Sequence, residues 1–388
     1  MERYLSLSAR HLASGAGREH DPDGIRPAEL RRSRCSREII HGLLMLSLVA
    51  ALPTALAGQA DISARGGEVR FGGRLHTQFA TSSAEEGKAT DFFTRRARLT
   101  IDVRVTPLLD ARVQPDFGGG KLELKDAYFR LGFDRALRVS MGQFKRAFDL
   151  FELNSSTEIV VVERTGRIDG LEACAGVGGV CSLSRFTEKL GYSDRDIGVK
   201  VDGSLGERVR YMATLTNGTG TSGSDENSGK SLAARLSLDL TDDLTLAGNV
   251  SRHDYLDSRD SSKAATAFGA DLELGGFRDG THLQLGLVAG ANWLESTEDG
   301  PPRFLAWQGI LSRYFPLEGS RLEAIEPMAR VSWGDPERAA PTDAGMVVTP
   351  GLFLYIKGRN RIGANLDIYR QGPESTHYSC KIQSYLYY

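Results

Sequence analysis

Long apolar runs are what this sequence most conspicuously lacks. A polytopic helical membrane protein needs several stretches of about 20 mostly apolar residues, and only one candidate occurs, between Ile39 and Ala57. Cysteine is also scarce, with 4 in 388 residues, which excludes a disulfide scaffold, and 13 prolines beside 44 glycines exclude a collagen-like repeat. Net charge is nearly absent at −2, so a globally basic nucleic-acid binder is excluded and any electrostatic function has to be local. The hydrophobic fraction of 40% is too high for a strongly disordered chain.

The single apolar run has the layout of an export signal. Arg31, Arg32, Arg34 and Arg37 form a basic region, Ile39 to Val49 an apolar core, and Ala55-Leu56-Ala57 a small-residue cleavage site before Gly58. The run is interrupted by Pro53, which argues against an anchoring helix. We therefore divide the chain into a leader and signal peptide, 1–57, and a mature domain, 58–388.

Beyond Gly58 the pattern changes to short segments of alternating polarity cut by turn residues, the period of strands and not of helices. Val69, Phe71, Gly73, Leu75, Thr77 and Phe79 share one face, opposed by Arg70, Arg74, His76 and Gln78. In the next segment Phe93, Ala97, Leu99, Ile101, Val103 and Val105 alternate with Thr94, Arg96, Arg98, Thr100, Asp102 and Arg104, which leaves Arg95 on the apolar side. Further segments lie at 108–115, 123–133, 136–144, 196–203, 208–217, 231–240, 243–254, 264–274, 280–293, 303–315, 321–333, 345–357, 360–370 and 377–388, making sixteen in all. Short turns at 132–135, 240–243 and 275–280 alternate with long polar connections at 80–91, 218–230, 255–263, 294–302 and 334–344. This predicts an all-β fold, a transmembrane antiparallel β-barrel of about 16 strands, with tight turns at one rim and loops at the other. A soluble sandwich also alternates; the export signal, the terminal Tyr388 and the strand-end aromatics Phe79, Phe93, Phe133, Trp293, Phe315 and Trp333 favour the membrane.

In a barrel of this size the polar face lines water. The first five strands place Arg70, Arg74, Arg96, Arg98, Arg104, Arg112, Arg130 and Arg138 on that face, opposed by Asp102, Asp110 and Asp126. Residues 58–150 hold 16 Lys and Arg against 12 Asp and Glu, and the rest of the mature domain holds 24 against 32. Three carboxylates cannot neutralise eight guanidinium groups, so the stripe predicts an anion-favouring pore; if the arginines are merely paired and structural, the pore is a general one. The connection at 145–195 is far longer than a hairpin needs, and folded inward it would form the constriction, with Lys145, Arg146, Arg164 and Arg167 as added donors; an extracellular lid is the alternative.

Cys174 and Cys181 enclose Ala-Gly-Val-Gly-Gly-Val, a loop flexible enough for a disulfide in an exported protein, and no zinc-ligand spacing accompanies them. No cofactor or metal is expected. An outer-membrane barrel enzyme with its site at the mouth would need His beside Ser or Asp; His253-Asp254 is the one suggestive pair and reads as a solvated rim. The expectation is a channel and not an enzyme.

Four blocks, Leu124-Lys-Asp-Ala-Tyr-Phe-Arg130, Met141-Gly-Gln-Phe-Lys145, Val162-Glu-Arg164 and Arg195-Asp-Ile-Gly-Val-Lys-Val-Asp-Gly203, resemble successive blocks of the phosphate-selective porin O and P family of Gram-negative outer membranes. The resemblance spans about 66–388. It implies a sixteen-stranded barrel with an inward-folded third loop, homotrimeric assembly in outer-membrane lipid, and passive uptake of phosphate, polyphosphate or other small anions. It puts Lys145 in the block that opens the constriction loop and Arg164 in that loop's Glu-Arg element. Ala147 stands where the family would carry Pro, and the segment holding Cys174 and Cys181 has the look of an insertion.

Overall fold

The computed structural model describes residues 60–64, 67–221, 223–225, 227–257, 259–340, 343–372 and 375–388; the export leader expected at 1–57 lies outside them. The described strands are β1 (Ala60–Ala64), β2 (Gly67–Thr81), β3 (Thr90–Arg104), β4 (Leu109–Asp116), β5 (Glu123–Gly132), β6 (Arg138–Lys145), β7 (Arg195–Leu205), β8 (Val209–Thr216) and β9 (Ser231–Asp239). They continue as β10 (Leu244–Leu256), β11 (Ser262–Gly276), β12 (Asp279–Ala291), β13 (Arg303–Arg313), β14 (Phe315–Pro316), β15 (Ala324–Asp335), β16 (Gly345–Lys357), β17 (Asn360–Gln371) and β18 (Ser375–Tyr387). Each of β2 to β18 pairs antiparallel with its neighbour, β13 and β14 together serve as one staff against β15, and β18 returns to β2, so sixteen staves close into a barrel. Closure is what allows strands to cross lipid, because no backbone edge is left unpaired there. The strand β1, which alternation did not reveal, pairs with Gly67–Phe71 of β2, the end of β2 that β18 does not reach.

The outer surface is apolar and exposed. Leu287, Trp307 and Leu311 are 48%, 40% and 49% exposed, while Phe304, Ala306, Gln308 and Ser312 on the alternate positions are buried. In water such a band would be an aggregation surface; around a barrel it is the lipid-facing belt. The alternation read in the sequence is broken in β3 and at Trp293. His76 pairs with Arg96 and Thr77 with Thr94, so Arg95 is an extra, bulged residue in β3. Beyond the bulge the parity reverses: Phe92 turns outward against Phe79 (ring centroids 4.6 Å apart), and Phe93 turns inward. Trp293 is likewise no lipid girdle, since it stacks on Tyr255 at 4.5 Å and donates to the Leu190 carbonyl at 2.8 Å.

The third loop, residues 146–194 between β6 and β7, folds into the lumen and packs against the wall formed by β10 to β18. It carries helix α1 (Leu150–Leu153), capped by Asp149, and helix α2 (Leu183–Lys189), capped by Ser182. Buried backbone must find hydrogen-bond partners, and the wall supplies them. Arg330 donates to the carbonyls of Glu163 and Arg164, both at 2.8 Å; Arg361 donates to those of Thr157 (3.0 Å) and Ile159 (2.8 Å); Asn365 Oδ1 accepts from Val162 N–H and Ser332 Oγ from Leu183 N–H. A disulfide joins Cys174 to Cys181 within the same loop.

Two wall glycines receive the loop's aromatic rings. A Cβ on Gly286 would lie 2.6 Å from Phe151 Cε2, and one on Gly334 2.5 Å from Phe186 Cε2. Replacing both, Gly286→Val with Gly334→Val, should unseat the loop at a cost of about 1–3 kcal/mol per site while the strands stay paired. Single-channel recording should then show a higher conductance with weaker ion discrimination, and circular dichroism an unchanged strand signal; a normal conductance would mean that the rings do not hold the loop.

Candidate functional site

The inward charges of β2 to β7 are ordered by height. Nearest the short-turn rim, neighbouring strands alternate in sign: Glu68 lies opposite Arg104, Arg104 opposite Asp110, and Asp110 opposite Arg130. One level deeper, Arg70 lies opposite Asp102 and Asp102 opposite Arg112. The pairs are closed. Arg112 grips Asp102 through two bonds of 2.7 and 3.0 Å, Arg130 meets Asp110 at 3.0 Å, Arg138 meets Asp202, and Glu68 serves both Arg70 and Arg104. Partly exposed pairs of this kind stabilise by roughly 0–1 kcal/mol each; their main effect here is to neutralise the wall.

Higher still, alternation stops. Arg74 lies directly opposite Arg98, and on the far side of the same opening Lys145 lies opposite Arg195. Like charges in directly opposed positions are unfavourable, so something other than barrel stability accounts for them. They border a cavity of about 200 Å³ between the β2–β7 wall and the third loop. Arg96, Arg112 and Arg164 also line it, and the loop contributes Leu153, Ser155 and Ser156.

The cavity's charges do not balance. Arg98 bonds to Asp116, Arg195 to Asp126 at 2.7 Å, Arg112 to Asp102, and Glu152 is shared by Arg164 at 2.9 Å and Lys145 at 3.5 Å. Seven cations thus face four carboxylates. Among the described residues Arg74 is held only by a hydroxyl, donating to Ser156 Oγ at 2.7 Å. Arg96 is 4% exposed, and its Nε and Nη1 atoms have no hydrogen-bond partner among the described residues.

Among the residues expected from the sequence, the fold brings Arg74, Arg96, Arg98, Arg112, Lys145 and Arg164 to one cavity. Arg70, Arg104, Arg130 and Arg138 sit in the neutralised lower rows, and Arg167 lies above the cavity with Asp169 at 3.0 Å. Arg146 leaves the pore altogether. It is buried and donates to Ser251 Oγ at 3.1 Å and to the Gly191 carbonyl, tying the loop to β10. The neutralisation is more complete than three aspartates allow, because Glu68, Asp116 and Asp202 also act, whereas Asp126 serves Arg195. His253-Asp254 is not a solvated rim: both residues are buried, and the imidazole lies against Arg146 and Tyr192. Sequence reading missed Arg95 and Arg195. The bulge turns Arg95 inward, where it clasps Glu163 with bonds of 2.6 and 3.1 Å, and the Arg195 signal was its place at the loop's second neck, opposite Lys145.

A closed barrel with a loop-narrowed, water-facing lumen defines the class: an outer-membrane porin, a channel and not an enzyme. Residues 69–239 match the model of the family described as phosphate-selective porin O and P. No curated protein sequence matches the chain. Among solved structures it resembles the outer-membrane channel DcaP of Acinetobacter baumannii, at 12% identity and a TM-score of 0.60, covering 85% of this chain and 100% of that one. It also resembles an anion-selective porin from Comamonas acidovorans (11% identity, TM-score 0.60, 83% and 100% covered) and the trimer form of OmpT from Vibrio cholerae (12%, 0.55, 83% and 100%). At these identities the structures speak for the fold.

Carboxyl groups within the loop add a dependence on pH. Arg95 keeps Glu163 ionised, well below the usual range. Burial, together with the nearby Asp194 and Glu152 charges, pushes Glu188 up to about 7, and burial pushes Asp149 up to about 7 as well. A carboxyl whose folded pKa is raised stabilises the docked loop fully below its ordinary pKa, and that contribution is lost as pH rises through 7. Acidification from pH 8 to pH 6 therefore neutralises both groups and leaves the neighbouring Arg164 and Arg95 less compensated. The reversal potential should move toward anions over that interval, and the double variant Glu188→Gln, Asp149→Asn should shift by less; an equal shift in the double variant would place the titration elsewhere.

Proposed function

We propose that this porin favours anions and admits small oxyanions, phosphate among them, by passive diffusion. The observation that carries the reading is the constriction, where Arg74 and Arg96 hold positive charge without a carboxylate partner among the described residues. Between low-dielectric walls such a surplus focuses the potential on the solutes that pass. Guanidinium forks suit phosphate and carboxylate oxygens, and the loop face opposite them offers the hydroxyls of Ser155 and Ser156. The rows toward the short-turn rim are closed ion pairs, so an anion that has left the constriction meets no second trap. Residues 1–57 serve in this reading as an export leader, and three copies assemble in the outer membrane as in the trimer form of OmpT. A general, unselective pore is the rival.

Planar-bilayer reversal potentials under a KCl gradient decide between them. The wild-type channel should favour chloride, and added phosphate should reduce the chloride current. The pair Arg74→Gln, Arg96→Gln should lose most of that preference, whereas Arg130→Gln, Asp110→Asn, which removes one closed ion pair whole, should keep it. Equal loss in both pairs would make the preference a property of the whole wall, and a cation-favouring wild type would overturn the reading.

A further inference from the structure

Above the constriction the lumen holds a second recess, of about 220 Å³, between the upper ends of β2, β3 and β18, the β2–β3 loop and the third loop. Its chemistry differs from that of the cavity below. Lys88 pairs with Asp91 at 3.1 Å and Arg167 with Asp169 at 3.0 Å, while the buried Lys381 is held by Asp367, which it shares with Arg330. Phe93, turned inward by the bulge, supplies an apolar wall. Beside it Gln78 is only 3% exposed, and its Oε1 atom has no hydrogen-bond partner among the described residues. A buried amide oxygen left without a donor costs about 1–3 kcal/mol, and a solute that brings an N–H recovers it.

The balance of signs selects the solute. Lys381 is buried and held by Asp367, so the groups open to a solute are the Lys88–Asp91 and Arg167–Asp169 pairs; there a simple anion meets as many carboxylates as cations and gains little, and a simple cation fares no better. A solute with both an ammonium and a carboxylate, close together, can use both. The ammonium has Gln78 Oε1 and the Asp91 and Asp169 carboxylates as acceptors, while the carboxylate has the Lys88 and Arg167 donors. The Lys88 and Arg167 pairs are largely exposed, at 69% and 59% for the cations, and such pairs are worth roughly 0–1 kcal/mol, so exchanging their partners costs little. An apolar side chain then covers the Phe93 ring. We infer that this recess binds zwitterionic α-amino acids with a modest apolar side chain, at a site separate from the anion constriction.

The test uses the folded full-length protein in planar bilayers, with probes added on the loop side. L-leucine is compared with its two single-charge analogues, 4-methylpentanoate and 3-methylbutylamine. Leucine should interrupt the chloride current at a concentration about tenfold or more below that of either analogue, as expected when a second charge-assisted contact is made. Gln78→Leu, Phe93→Ala and Asp169→Asn should each reduce that advantage, while the reversal potential and the unblocked conductance report an intact channel. Block by 4-methylpentanoate as strong as by leucine would assign the effect to the constriction cations and overturn the site. So would leucine block that all three variants leave unchanged, or no block by leucine at all.

Discussion

A 49-residue loop can be buried inside a barrel only if its backbone finds hydrogen bonds there, and the rest of this structure depends on that constraint being met. The wall from β10 to β18 is built for it. Arg330 and Arg361, both fully buried, point their guanidinium groups at loop carbonyls, and Asp367 between Arg330 and Lys381 supplies the countercharge. Arg361 has aromatic rings around it, with Tyr385 at 4.5 Å and Phe277 at 5.1 Å from its carbon, so its charge is met by ring faces as well as carbonyl oxygens. On this side of the lumen Arg330 and Arg361 are thus committed to holding the loop. The pore is thereby displaced to the other side, against β2 to β7.

The two halves of the inner surface therefore do different work with the same residue type. Arginine on β15 and β17 is a staple; on β2 and β3 it faces the channel, apart from the bulged Arg95, which clasps Glu163 of the loop. Arg146, seven residues before Leu153, belongs to the first kind although its neighbour Lys145 borders the cavity. Bonding explains the difference: Lys145 Nζ donates to the Asn154 carbonyl at 3.0 Å at the cavity's edge, whereas Arg146 reaches Ser251 on the opposite wall.

Much of this was legible in the sequence, because a strand that separates lipid from water must alternate. All sixteen staves lie close to the segments that alternation marks, and the length of the third connection announced its role. Other features follow from pairing register, which the pattern does not carry. Arg95-Arg96 looked like one inward and one outward residue, yet a single bulge turns both toward the lumen and reverses Phe92 and Phe93 as well. Asp116, Glu68 and Asp202 could not be matched to their arginines before the strands were placed side by side. The stripe of eight arginines thus resolves into a neutralised stretch and a short unneutralised one. His253 was misplaced for a similar reason, since only the docked loop covers it.

The lower rows bear on why the constriction is built as it is. On β2 and β3 the chain alternates sign across the strand pair at Glu68–Arg104 and Arg70–Asp102, so these two strands readily accommodate opposed charges. Four residues further along β2 from Arg70, the same two strands set Arg74 against Arg98, and a carboxylate at either position would have continued the ladder. Asp116 relieves Arg98 from the next strand, but Arg74 receives only a serine hydroxyl. A wall selected for rigidity alone would not keep this arrangement at the level where the loop comes nearest. An uncompensated guanidinium is unfavourable in the empty barrel and favourable once an anion stands beside it, so the break in alternation is the feature on which the proposed anion preference rests.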